Sequence, residues 1–115
     1  MRFALVTIET EHSRRSVRQQ RAAHRSQIEV WMTEQGAAGK LVGGQAFETE
    51  AVGPVTVRHA PSGEVSVADG PFAGDIETLG GYLEVEVADR DEAVELAKSW
   101  PTGETIEVRP IWQAT

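Results

Sequence analysis

Two side chains in this sequence have the type and setting for proton chemistry, His24 and Asp69. Histidine gains and loses a proton near neutral pH, so one aimed into a gap between a helix and a sheet is a candidate general acid or base. Asp69 stands in the run Ala68-Asp69-Gly70-Pro71-Phe72-Ala73-Gly74, where Gly and Pro interrupt two strand-like segments. Pro71 fixes its own φ and biases Gly70 toward extended geometry, which holds Asp69 at a strand end in a rigid frame. Two roles stand open for each. Asp69 is either a turn residue bonding backbone amides two or three positions on, or a carboxylate at a cleft mouth. His24 is either a hydrogen-bonded core residue or a catalyst. Arg21 on the same helix, with Gly70, Pro71 and Phe72 in the turn, complete the candidate ligand-binding set. His12, His24 and His59 show no i, i+4 pair, and with no cysteine in the chain no metal site and no cofactor are expected. No Ser-His-Asp order, phosphate loop or dinucleotide fingerprint occurs.

The elements that must position these residues follow from periodicity. Residues 2 to 8 are rich in β-formers and almost wholly apolar, the pattern of a central strand covered on both faces or paired across an interface. Glu9 to Ser13 breaks the run, and Ser16-Val17-Arg18-Gln19 has the spacing of a capping box, with Ser13 an alternative cap. One long helix follows to about Gln35, where Gly36 and Gly39 are stop signals. At 100° per residue Val17, His24, Ile28 and Trp31 share one arc directed at the sheet. Arg14, Arg18, Arg21 and Arg25 form a neighbouring stripe, either a solvated shoulder or a rim that draws an anionic ligand into the gap between helix and sheet.

Leu41 to Phe47 reads as a second strand whose paired Gly43 and Gly44 permit a bulge or a close approach. Glu48 to Pro54 is a loop. Val55 to His59 and Glu64 to Val67 form a hairpin through Ala60-Pro61-Ser62-Gly63. The alternation of 64–67 resumes at Gly80 to Val87, so the Asp69 turn is expected to link strands of one sheet, with a helical turn over 75–79 between them. Asp89-Arg90-Asp91-Glu92 is an N-terminal box for a second helix running to about Ser99. Pro101 ends it, and Thr105 to Arg109 forms the last strand, with Trp100 and Trp112 flanking it as packing or interface residues. The order is βαββαβ with an extra hairpin, the ferredoxin-like split pattern in the α+β class. Two helices would cover one sheet face. Phe3, Leu5, Leu83 and Val85 would then leave an apolar patch on the other, and a second copy of the chain is the expected cover.

At 115 residues the chain is expected to form one domain, residues 1–115, with one core. No run of 18 apolar residues exists, and the apolar N-terminal stretch is too short, and too soon followed by Glu9 and Glu11, for a signal peptide or membrane span. The expectation is a cytoplasmic protein without membrane contact. The net charge of −7 is unevenly distributed: residues 1–40 hold seven Lys/Arg against four acids, residues 41–115 four against fourteen. A mean field this acidic opposes phosphate contacts, so nucleic acid is not an expected partner.

The runs Asp69-Gly70-Pro71-Phe72-Ala73, Leu79-Gly80-Gly81-Tyr82 and Ile106-Glu107-Val108-Arg109-Pro110-Ile111, with Leu41-Val42-Gly43-Gly44 and Ala23-His24, resemble the YCII-related proteins, and among them the DGPF branch. The resemblance spans essentially the whole chain. It implies a ferredoxin-like fold that forms a dimeric α+β barrel, and a suspected active site pairing a helix histidine, here His24, with an aspartate, matched in this branch to Asp69. Family members commonly carry Glu after Phe-Ala; this chain has Gly74, so any role for that carboxylate is missing or shifted to Asp75 or Glu77. The resemblance supplies no settled reaction. It leaves two functions: a homodimeric module that binds a metabolite or a protein partner in a regulatory or accessory role, linked with extracytoplasmic-function sigma factors, or an enzyme using His24 and Asp69 as an acid-base pair on a small molecule.

Overall fold

A computed structural model describes residues 1–48, 51–74 and 77–113. Its elements run β1 (Arg2–Thr10), α1 (Glu11–Gln19), α2 (Arg21–Ala37), β2 (Leu41–Ala46), β3 (Val55–His59), β4 (Val65–Asp69), β5 (Glu77–Glu86), α3 (Arg90–Lys98) and β6 (Thr105–Pro110). The architecture is mixed α+β, with an antiparallel four-stranded sheet in the order β2-β5-β1-β6 and a separate two-stranded sheet of β3 and β4.

The expected single long helix is two. Thr10, not Ser16, caps the first: its side chain accepts from the Ser13 amide at 3.1 Å, and the Ser13 hydroxyl accepts from the Thr10 amide at 2.9 Å. That reciprocal pair satisfies two amides that a helix start otherwise leaves open, so α1 begins directly off β1 with no intervening break. Gln20, at φ −135° and ψ 46°, leaves the helical region and separates α1 from α2. At the second helix start Asp89 caps as its spacing predicts, accepting from the Glu92 amide at 2.9 Å, while the Glu92 carboxylate reaches one residue further back than a capping box requires and accepts from the amide of Ala88 at 3.2 Å.

Alternation along β1 and β5 sends Phe3, Leu5, Leu83 and Val85 to the face covered by α2 and α3. There they form one core with Trp31, Val87, Ala93 and Leu96. This corrects the expected apolar patch: those four side chains are 7 % exposed or less and lie under the helices. The uncovered face instead presents Val6, Ile8 and Tyr82 among charged residues such as Glu107 and Arg109, which pair at 2.7 Å.

The β3–β4 hairpin does not join the main sheet, so the Asp69 turn links two sheets and not two strands of one. Both edges of β5 are already occupied, by β1 and β2, so β4 cannot pair with the strand that follows it in sequence. Nor do residues 77–79 form a helical turn: they extend β5, opposite Thr10, Glu9 and Ile8. Residues 75 and 76 of that expected turn lie outside the described residues. The glycine signal in β2 corresponds to a register shift between Leu41 and Gly43, and at Gly44 (φ +140°) a Cβ would collide with the backbone oxygen of Tyr82 in β5. Among the described residues no helix is long and apolar enough to cross a membrane.

Candidate functional site

α1 and α2 together lay the expected arc against the sheet: Val17 of α1 is half-buried, and α2 contributes half-buried His24 and Ile28 and buried Trp31. Between α2 and strands β1, β2 and β5 lies a cleft of about 510 Å³. Val17, Ile28, Met32, Leu83 and Trp100 supply its apolar wall, while Arg21 and Arg25 stand beside it from the exposed side of α2. The arginine stripe is therefore divided. Arg21 and Arg25 line the cleft, Arg18 is exposed, and Arg14 donates to the Thr78 hydroxyl at 3.0 Å.

His24 has a carboxylate partner that the sequence reading missed. Its Nε2 lies 3.0 Å from Oε1 of Glu104, with side-chain exposures of 17 % and 6 %. The second oxygen, Oε2, accepts from Trp100 Nε1 at 3.0 Å and from the Thr102 hydroxyl. Trp100 is itself held edge-on against Trp31, ring centres 5.1 Å apart, and Trp31 donates from Nε1 to Ser99 Oγ at 2.9 Å. The carboxylate is thus held at both oxygens, and one of its donors, Trp100, is itself fixed by packing.

Burial pushes the Glu104 carboxyl up. The bonds donated by Thr102, Trp100 and its own backbone amide, together with the charge of His24, outweigh burial and hold it below the ordinary carboxylate value. Glu104 is therefore ionised at neutral pH and only accepts. The shared hydrogen must belong to His24 Nε2, which leaves Nδ1 as the ring nitrogen with the lone pair when the imidazole is neutral. An oriented imidazole beside an apolar-walled cleft has what proton transfer to or from a bound small molecule requires.

Asp69 lies elsewhere. It ends β4 opposite Val55, is exposed, and among the described residues its side chain makes no hydrogen bond or ion pair. Gly70 follows at φ +105°, its amide donating to Pro54 at 2.8 Å and its carbonyl accepting from the Thr56 hydroxyl at 2.7 Å. Pro71 and Phe72 line a second cavity of about 590 Å³ under the hairpin, walled by Val55, Val57 and Leu79. The two cavities meet at Phe47 and Glu48, which line both. Of the candidate residues, the structure brings together His24 and Arg21 at one cavity and Pro71 and Phe72 at its neighbour.

Glu104 carries little sequence signal. It follows the Pro101-Gly103 turn and precedes the last strand, a position that periodicity assigns to no face. Its role arises only because β6 pairs antiparallel along β1 from Phe3 to Ile8, and the register that sets Thr105 opposite Ile8 carries the preceding residue to the flank of α2.

Comparison with known families matches residues 1–115 to the YCII-related domain. An uncharacterised protein of Rhizobium meliloti is 38 % identical over 78 residues, covering 64 % of this chain and 61 % of the relative. This chain thus spans about three-fifths of that relative's length.

Proposed function

The chain belongs to the YCII-related domain family, and from that premise we propose that it binds a small molecule in the α2–sheet cleft and moves a proton on it with His24, positioned by Glu104. The observation that carries this reading is the 3.0 Å contact between a cleft-lining imidazole and a buried, ionised carboxylate. Glu104 holds the ring through Nε2, Nδ1 takes or returns the proton, and the apolar wall limits water. Arg21 and Arg25 attract an anionic group on the ligand. A ligand reaching past Phe47 meets Pro71 and Phe72 of the turn, next to Gly70. Asp69 belongs to that turn surface in this reading, and the run Asp69-Gly70-Pro71-Phe72 supports placing the chain in the DGPF branch.

The assembly proposed is a cytoplasmic homodimer, a ferredoxin-like single domain closing into a dimeric barrel. With the hairpin set aside, the order β2-β5-β1-β6 and the helix-free second sheet face support it. So does the shape: a radius of gyration of 16.0 Å exceeds the roughly 13 Å of a compact domain of this length. Sedimentation at micromolar concentration tests it, twice the chain mass being the expected result.

A second reading, a non-catalytic regulatory module that docks a protein partner such as an extracytoplasmic-function sigma factor, is favoured by the hairpin. Its valines Val55, Val57, Val65 and Val67 share one face and are all more than half exposed. One experiment separates the two readings. Small carboxylic and hydroxy acids that bind by ligand-observed NMR are incubated with the protein in deuterium oxide. Acid-base chemistry predicts deuterium entering an acidic C–H position of a bound ligand, abolished in His24→Gln with binding retained. Binding with no His24-dependent incorporation sinks the catalytic reading and leaves the module.

A further inference from the structure

His24 lines two cavities, not one. Behind the cleft, on the side of the loop before β6, lies a small pocket of about 210 Å³ bounded by Ser16, Gln20, Gln27, Pro101, Thr102, Gly103 and the same imidazole. At about 30 Å³ per water it has room for several. Its polar side chains are two hydroxyls and two amides, each able to donate and accept, and among the described residues no ionisable group but His24 lines it. Thr102, on its wall, donates to the Glu104 oxygen that Trp100 holds from the cleft side. The His24–Glu104 pair is therefore a partition, with an apolar-walled cleft on one side and a neutral polar pocket on the other. Arg21 and Arg25 flank the imidazole on its own helix, Glu104 faces it from the loop, and Glu9 lines the far side of the cleft.

We propose that this rear pocket is the proton port of the pair. It holds water against His24 and Thr102, and the imidazole exchanges its proton with solvent through it while the cleft is filled. The physical need is direct. A ligand seated in the cleft covers the Nδ1 side of the ring. Once Nδ1 has taken a proton, the imidazolium gives up its Nε2 proton through the port, one proton in and one out. When the ligand leaves, Nδ1 gives its proton to solvent and Nε2 regains one from the port, restoring the form that bonds Glu104. A chain of hydroxyls, amides and waters conducts a proton without placing a competing charge beside the pair. The inference rests on the acid-base reading of the cleft, but it concerns the ring's route to solvent and is tested without any ligand.

The probe is the Nε2 proton of His24, hydrogen-bonded to Glu104 and so expected downfield of the backbone amides in the nitrogen-15-labelled full chain. Its exchange with water is read by saturation transfer. Gly103→Leu adds a side chain on the wall of the port, and a Cβ at Gly103 meets no atom of the described residues within 4 Å, so it is accommodated without a clash. Ala46→Trp, from β2, fills the cleft instead and stands in for a bound ligand. The port predicts exchange slowed by about tenfold or more in Gly103→Leu and changed by less than about twofold in Ala46→Trp, as expected when one route to solvent governs local access. Persistence of the resonance certifies that the pair is intact; should Gly103→Leu not fold, Ser16→Leu on α1 fills the same pocket and carries the same expectation. Parental exchange in the port-filled variant, or slowing in Ala46→Trp as large as in Gly103→Leu, overturns the proposal. Failure of the acid-base reading shows separately, as absent deuterium incorporation with the port behaviour unchanged.

Discussion

The four-stranded sheet and the β3–β4 hairpin are both built from β-forming segments with an apolar residue at every second position, and they end in opposite states. Leu5 and Val85 are 1 % and 0 % exposed, whereas Val57 and Val67, directly paired across the hairpin, are 52 % and 68 % exposed. Alternation reports that a segment is a strand with two unlike faces. What covers the apolar face is decided by non-local packing, here by α2 and α3, which lie over β1 and β5 and leave the hairpin alone. A two-stranded ribbon is marginal in water by itself. The two halves therefore depend on different things: the sheet on its own core, the hairpin on whatever its valine face meets.

The largest effect should come from testing that contrast directly. Leu5→Ala removes a fully buried side chain and should cost about 3 kcal/mol, while Val67→Ser should cost less than about 0.5 kcal/mol in an isolated chain. Urea denaturation of both variants checks this. Equal losses would show that the hairpin valines are covered in solution, and the contrast would then lie between two interfaces and not between a core and a surface.

Next is the site. Glu104→Ala leaves His24, Trp100 and Thr102 without their shared acceptor and should destabilise by about 2 kcal/mol. The pH dependence sharpens it. A carboxyl held lower in the folded than in the unfolded chain contributes stability that is present above its unfolded value and is lost as pH falls through its folded one. The gap in melting temperature between the parent and Glu104→Gln should therefore be widest near neutrality and shrink on acidification. A gap independent of pH would mean that the Glu104 charge is not what the network stabilises.

How much of this was legible follows the same division. Local signals were readable because they act within a few residues: the Asp89 cap, the hairpin, the glycine irregularity in β2, and the arc that turns His24 to the sheet. The Thr10–Ser13 box lies equally close, but the polar run from Glu9 to Ser13 has the composition of a break between elements, and Ser16 is a competing cap. Glu104 was unreadable for another reason: the contact joins residues 80 positions apart, across a pairing of β6 with β1 that no local pattern specifies. The separation of the hairpin from the main sheet is of this kind too. It depends on β2 having taken the β5 edge.

A smaller effect tests the joint between the halves. Gly70, at φ +105°, sits where a side chain is strained, and its amide and carbonyl tie the turn to Pro54 and Thr56. No atom of the described residues lies within 4 Å of a Cβ built there, so the cost is conformational and not steric crowding. Gly70→Val should lower stability by about 1 kcal/mol. An unchanged melting temperature would show that the turn relaxes freely and that the hairpin is loosely attached to the sheet.

The smallest expected effect is the most informative about assembly. Asp69 is exposed, makes no side-chain bond among the described residues, and shares no cavity with His24. Within one chain, Asp69→Asn should change stability by less than about 0.5 kcal/mol. It should also leave the Nε2 proton resonance of His24 where it is, because that proton reports the bond to Glu104. If the resonance moves in Asp69→Asn, the carboxylate reaches the imidazole by a route that a single chain does not contain, and the nearest source is the hairpin of a second copy laid across the cleft. Mixed dimers settle which chain supplies it. With Asp69→Asn in an unlabelled chain and labelled parental His24 in the other, a shift confined to the mixed species places Asp69 in its partner's site; no shift in any species leaves Glu104 as the carboxylate that serves His24.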